Sequence, residues 1–354
     1  MHSFPSATTA NVASSSVINR RQLLSLRSNP PSQPRQDSSV DDWVRISHFA
    51  MACKFEAIIA SSDDCGIAAA QAYFDEVDRL ESMLSIFNPS SELSFLNRNA
   101  AASGVTVGPE LFHFLQLCRK LHAESEGAFD VTTGLLSRCW GFHDRKPQLP
   151  EPRSLRAALQ SVGFHRVSLG PDRKVSFSSS DLNINLGGVG KGYALDCGAA
   201  KLRTFGMETA LLSAGFSSIL ALGSGLDSTG WLIGLRHPVF KNQRLGIIRM
   251  RSCALGTSSQ EEQWCEAVGQ RYGHILDPRT GFPPKGPLSV TVIADSATRA
   301  DALATAFFVG GPELANRYCA IHKEVLAIML LERDISRPIV IGSSNQAVVE
   351  LMND

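Results

Sequence analysis

Asp301 and Thr305 lie four residues apart in a stretch whose apolar spacing predicts a helix over 297–309. A carboxylate and a hydroxyl at that separation share one helix face. Hard oxygen donors so placed suit a hard cation such as Mg2+, and a phosphate alongside it. The same spacing is also that of an ordinary solvated face, and the pair alone does not decide between the two. A second group stands upstream, in Gly273-His274-Ile275-Leu276-Asp277-Pro278-Arg279-Thr280-Gly281. The ordinary pKa of a histidine, about 6.5, suits taking a proton from a hydroxyl near neutral pH. The alternative for His274 is to order the turn by bonding to Asp277. A third group is Leu186-Gly187-Gly188-Val189-Gly190-Lys191-Gly192-Tyr193. A glycine-rich turn that opens a helix exposes backbone N–H groups at a positive dipole end, and Lys191 adds a full charge, so a phosphate would be held there. The turn matches neither GxxxxGK[ST] nor GxGxxG, and tight packing would ask for the same glycines.

These groups need elements to hold them. Asp277-Pro278 followed by Thr280-Gly281 is turn chemistry. The run 288–293 alternates as a strand, Asp295 or Ser296 can cap the helix after it, and Gly310-Gly311 ends that helix. The glycine turn is expected to follow a strand over 181–186. Residues 210–223 read as two buried strands around a bend, and 255–260 as a polar loop. Amphipathic helices are expected over 67–84 and 109–123, a short helix over 155–162, and a hairpin around Gly170-Pro171-Asp172. Asp130 and Thr132, two apart, face one side if extended. Either can bond a ligand or cap the helix that follows. Past Gly311 a helix over 312–321 and a strand over 325–331 are expected.

Composition bounds the rest. The chain has 354 residues, 44% of them apolar, which is enough for a sizeable core. Lys plus Arg equals Asp plus Glu at 34 each, so no net charge draws it to nucleic acid or an anionic membrane. The eight cysteines are scattered with no CxxC pair, which favours reduced thiols over a disulfide frame or a zinc site. Residues 1–42 are rich in Ser, Asn, Pro and Gln and are expected to be disordered. Asn19-Arg20-Arg21-Gln22-Leu23-Leu24 echoes a twin-arginine export signal, but Arg27-Ser28-Asn29-Pro30-Pro31 follows in place of an apolar segment. No run approaches the ~20 apolar residues of a membrane span. Membrane association is therefore not indicated, and a cytoplasmic location is expected. The expected division is 1–42 disordered, 43–335 folded, and 336–354 a C-terminal tail.

Taken in order, several segments resemble the ApbE-type flavin transferases, FAD:protein FMN transferases. They are Ser85-Ile86-Phe87-Asn88-Pro89-Ser90-Ser91-Glu92-Leu93-Ser94-Phe95-Leu96-Asn97, Gly127-Ala128-Phe129-Asp130-Val131-Thr132, Trp140-Gly141-Phe142, the Leu186–Asp196 turn, His274 to Pro283, and Ala300-Asp301-Ala302-Leu303-Ala304-Thr305-Ala306. The resemblance implies an α+β fold, a mixed α/β architecture of two lobes with a cleft between them. It implies FAD as substrate and Mg2+ as cofactor. The implied reaction moves the FMN moiety of FAD to a threonine or serine hydroxyl of an acceptor protein and releases AMP. By the same resemblance His274 is catalytic, and Gly190, Asp301 and Thr305 hold the metal. Phe87, Glu92, Asp130, Thr132, Lys191, Asp277 and Thr280 are implied around FAD. Two alternatives use the same residues: an FAD pyrophosphatase giving FMN and AMP, and a non-catalytic FAD-binding protein. The chain departs from the family pattern at Met51-Ala52-Cys53, Phe87, Gly215-Phe216-Ser217 and Thr257-Ser258-Ser259.

Overall fold

The structure is a computed structural model that describes residues 43–352 apart from 61–63, 226–227, 261–262 and 268. The expected disordered segment 1–42 lies outside the described residues. An antiparallel sheet of eight strands organises the fold. Its spatial order is β1 (Trp43–Ala50), β2 (Cys53–Ala60), β6 (Ala210–Ala214), β7 (Ser218–Leu222), β10 (Ala254–Ser259), β13 (Pro287–Ala294), β14 (Leu326–Leu331) and β15 (Asp334–Gly342). The alternation in β13 is that of a strand covered on both sides. Val290 and Val292 face one core while Ile293 faces the other.

Helices cover the first face. They are α1 (Asp64–Leu84), α2 (Glu92–Asn99), α3 (Pro109–Glu124), α6 (Gly190–Thr204) and α7 (Ala297–Ile321). They bury Tyr73, Leu80, Leu93, Phe114, Leu195, Leu303 and Phe307 against the sheet. The second face is covered by a small sheet ordered β16 (Ala347–Leu351), β9 (Arg244–Met250), β8 (Trp231–Arg236). It packs Trp231, Ile248 and Met250 on Ile58, Leu255, Ile293 and Ile328. A satellite core forms to one side. It joins α4 (Gly134–Cys139), α5 (Pro152–Ser161) and the hairpin of β11 (Trp264–Ala267) with β12 (Gln270–Gly273) through Leu136, Trp140, Leu155, Cys265 and Leu276. A last small sheet, β3 (Val105–Thr106), β5 (Lys174–Phe177) and β4 (Val167–Leu169), contains the expected hairpin.

The helix carrying Asp301 and Thr305 is fixed at both ends. Ser296 caps it, its hydroxyl accepting from the Arg299 N–H. Asp196 of α6 adds a second cap, accepting from the N–H groups of Ala297 and Thr298 at 2.9 Å each. The helix breaks at Gly311 (φ +69°) before Pro312, where the sequence places its stop, and then resumes.

Three expectations are corrected. Residues 255–259 are not a loop but most of β10, paired between β7 and β13, and Gln260 follows its end. Their polarity reflects the cavity they line, and Thr257 Oγ1 lies 3.0 Å from Thr291 Oγ1. Residues 181–186 form no strand beyond a single bridge, Asn183 to Thr133. The side chain of Asn97 takes the place of a strand partner there, bonding both the N–H and the carbonyl of Ile184 at 2.9 Å. The described part of the expected tail, residues 336–352, is not an appendage. It completes β15 and supplies β16, so the folded body extends past residue 335.

The close approach of α7 to the sheet depends on Gly256. A Cβ there would stand 2.5 Å from the backbone carbonyl of Ala300 and 2.7 Å from the N–H nitrogen of Asp301. Backbone cannot yield as a flexible side chain does. Gly256→Ala is expected to lower unfolding free energy by about 1–3 kcal/mol, the usual cost of overpacking. Urea denaturation measures this, and an unchanged midpoint would mean that α7 has room to move off β10.

Candidate functional site

At the Ser217 end of the β6–β7 pair, the end of β10, the glycine turn and the second turn of α7 come together around Asp301. Its side chain is only 6% exposed. One carboxylate oxygen, Oδ1, accepts from Ser218 Oγ at 2.7 Å, and the other, Oδ2, from the Gly192 N–H at 2.7 Å. Burial pushes its pKa up to about 6, against the opposing pull of Lys191 and of these two hydrogen bonds. One turn on, Thr305 Oγ1 lies 3.3 Å from Ser258 Oγ. The glycine turn runs beside it, so that a Cβ on Gly188 would sit 3.5 Å from Thr305 Oγ1. Gly192 is required for this approach, because a Cβ there would stand 2.1 Å from the carbonyl oxygen of Ala297.

These groups open into a cleft of about 320 Å3, whose lining includes Phe87, Asp130, Lys191, His274, Asp301 and Thr305. His274 comes from the satellite core. It directly follows β12, and its N–H donates to the Gln263 carbonyl at 3.0 Å. Its ring meets Phe142 edge-on at 6.4 Å. The turn behind it is pinned by Trp140, whose indole N–H donates to the Gly281 carbonyl at 2.8 Å while its ring packs on Tyr272 and Phe282. On another wall Phe87, 68% exposed, stacks at 4.8 Å on His143, whose pKa burial and Arg138 hold below the ordinary value.

Other expected residues stand outside the lining. Gly190 begins α6 with its N–H bonded to the Leu186 carbonyl at 2.7 Å, and Gly187 and Gly188 face the cleft in its place. The Glu92 carboxylate accepts from the Gly108 N–H and so braces the start of α3. Thr132 is fully buried, donating to Asp130 at 2.6 Å and accepting from the Gly163 N–H at 2.7 Å. Asp277 is gripped by the Arg279 guanidinium at 2.8 and 2.9 Å. Thr280 accepts from the Phe282 N–H within the same turn. Each shapes a loop that borders the cleft. Asp130 does both, lining the cleft while its carboxylate accepts from the N–H groups of Thr132 and Phe164.

The cleft also contains residues that spacing did not single out, among them His143, Ser217, Ser258 and Gln263. Ser217 and Ser258 lie in segments marked only as departures, and His143 follows Trp140-Gly141-Phe142 directly. Phe216 does not fill the cleft. It is 84% exposed, with the Arg236 guanidinium 4.9 Å from its ring centre. A second hollow of about 440 Å3 at the opposite end of β6 and β7, near Arg203 and Glu208, gathers none of these groups.

The donor set fits a hard cation. Asp301 and Thr305 offer oxygens only, one of them a buried carboxylate. The glycine turn keeps this side clear, because a Cβ on Gly188 would already touch Thr305 Oγ1 at 3.5 Å.

The profile of the ApbE family matches residues 49–330. The chain belongs to the ApbE family. It is 31% identical over 273 residues to the FAD:protein FMN transferase of Treponema pallidum (strain Nichols), covering 73% of this chain and 74% of that one. It is 27% identical over 266 residues to the FAD:protein FMN transferase of Escherichia coli (strain K12), covering 73% and 75%. Among solved structures, the ApbE protein of Thermotoga maritima superposes with a TM-score of 0.78 at 27% identity, covering 85% of this chain and 97% of that one. The α+β architecture is thus that of ApbE proteins.

Trp140 connects the satellite core to the His274 turn of this ApbE chain. Trp140→Phe keeps an aromatic ring but a smaller one and removes the N–H from a buried carbonyl, a loss that costs about 1–3 kcal/mol before any cavity is counted. The expected result is a lower melting temperature together with faster hydrogen exchange in the 274–281 amides. Exchange that stays slow in that turn would show that Trp140 does not hold it.

Proposed function

We propose that this ApbE chain is a Mg2+-dependent transferase that moves the FMN moiety of FAD to a threonine or serine hydroxyl of an acceptor protein. The observation that carries the reading is the meeting of His274, Lys191, Asp301 and Thr305 in one cleft. Relatives named FAD:protein FMN transferase support it.

The residues divide the work. His274 takes the proton of the acceptor hydroxyl. That oxygen forms a bond to the FMN-side phosphorus, the bond from this phosphorus to the bridging oxygen breaks, and AMP leaves with the electron pair. Lys191 and the start of α6 offset the negative charge of the diphosphate. Asp301 and Thr305 would hold Mg2+, which when bound neutralises charge gathering on the phosphate oxygens. Phe87 offers an open aromatic face to a planar ring of FAD. Asp130 keeps the neighbouring wall in shape. The same reading places the enzyme in the cytoplasm, supported by eight scattered cysteines without a CxxC pair.

The test is an incubation with FAD, Mg2+ and a domain carrying an acceptor threonine, read by in-gel flavin fluorescence and AMP release. The wild type is expected to give a fluorescent acceptor band that disappears with EDTA. His274→Ala is expected to lose about 10²–10⁴-fold of the labelling rate, the usual worth of a general base, while still binding FAD. Free FMN and AMP at the same rate without acceptor would make the protein an FAD pyrophosphatase. A protein that binds FAD but releases no AMP would be a non-catalytic flavin binder.

A further inference from the structure

Asp301 and Thr305 are each met by a serine from the sheet beneath α7. Ser218 of β7 is fully buried, and its hydroxyl donates to Asp301 Oδ1 at 2.7 Å. Ser258 of β10 is half-buried at the cleft, its Oγ 3.3 Å from Thr305 Oγ1. The two strands are hydrogen-bonded neighbours. The two serines thus form a bracket under one face of one helix.

We infer that Ser218 and Ser258 are positioning residues that set how Asp301 and Thr305 present their oxygens to a divalent cation. The inference rests on the cation reading above. Its physical basis differs at the two positions. A carboxylate on a helix can rotate about its last torsion, a broad two-fold well. Donors on both oxygens, Ser218 on one and the Gly192 N–H on the other, stop that rotation and leave the remaining lone pairs pointing in fixed directions. A helical threonine has a different freedom. Its hydroxyl commonly bonds back to the carbonyl four residues earlier, which for Thr305 is that of Asp301. Ser258 offers a competing acceptor on the cleft side. With the Thr305 proton turned to Ser258, its lone pairs are available to a cation. Neither serine needs to touch the ion. Outer partners of this kind typically change metal affinity by about 10–100-fold when removed.

The experiment titrates Mn2+ into the full chain, with and without FAD, and counts free Mn2+ by electron paramagnetic resonance. Melting temperatures are measured without metal. Ser218→Ala and Ser258→Ala are each expected to weaken Mn2+ binding about 10–100-fold. Ser258→Thr, which keeps the hydroxyl, is expected to restore wild-type affinity. The metal-free melting temperature of Ser258→Ala is expected to match the wild type, because its partner is half-exposed. A purely structural role would lower the metal-free melting temperature and leave Mn2+ affinity unchanged, and that outcome overturns the inference. Wild-type affinity in both alanine variants overturns it as well. A wild type that binds no Mn2+ in either condition overturns the cation reading itself, and the bracket with it.

Discussion

A carboxylate buried to 6% exposure is the constraint around which this molecule is arranged. An ionised carboxylate taken out of water is costly unless hydrogen bonds replace the lost hydration. Asp301 obtains those bonds from two different elements, the first turn of α6 and the strand β7. Both must come within hydrogen-bond reach of α7. That requirement explains two glycines. Gly192 lets α6 approach the start of α7, and Gly256 lets β10, the neighbour of β7, pass under its first two turns. The Asp196 cap, one turn further along α6, holds the same helix pair at the N-terminus of α7. One polar group therefore dictates how two helices and a sheet are packed, although the area buried is overwhelmingly apolar.

His274 is held by a different core. Its turn hangs on Trp140, and its hairpin is anchored by Cys265 inside the satellite cluster. The main core and the satellite core meet at the cleft. The larger part carries the buried carboxylate and the lysine, and the smaller part carries His274, the proposed base. Phosphoryl transfer asks for charge stabilisation at one place and proton removal at another. Separate supports let each be fixed by its own packing.

The sequence was most legible where local chemistry decides structure. A cap at Asp295 or Ser296, the stop at Gly310-Gly311 and the strand over 288–293 all follow from neighbours in the chain, and the structure has the strand, the stop and the Ser296 alternative. It was least legible where a distant partner decides. Residues 255–260 read as a loop because Thr257, Ser258 and Ser259 are polar, yet their polarity belongs to a strand that lines a cavity. Residues 181–186 read as a strand, but Asn97 supplies the hydrogen bonds that a neighbouring strand would have supplied. The site residues divide in the same way. Residues such as Asp301, Thr305, Lys191 and His274 face the cleft. Glu92, Thr132, Asp277 and Thr280 sit in the same motifs but turn their oxygens onto nearby backbone or onto Arg279. A motif fixes residue types along a turn. Which side of the turn faces the cavity is settled by tertiary packing.

The departures at the β6–β7 turn show how that distinction bears on chemistry. A phenylalanine inserted beside a cleft would be expected to narrow it. Gly215, at φ +62°, turns the chain so that Ser217 faces the cleft while Phe216 points into solvent against Arg236. The bulk is spent outside, and the small hydroxyl is kept inside. At Thr257-Ser258-Ser259 the strand likewise keeps Ser258 on the helix side, next to Thr305. Each segment presents a serine to the cleft, and from Ser217 the chain continues directly into Ser218, the first residue of β7, beneath Asp301. What the geometry retains is one hydroxyl, Ser218, on the buried carboxylate at 2.7 Å and a second, Ser258, 3.3 Å from Thr305, so both oxygen donors keep a hydroxyl partner.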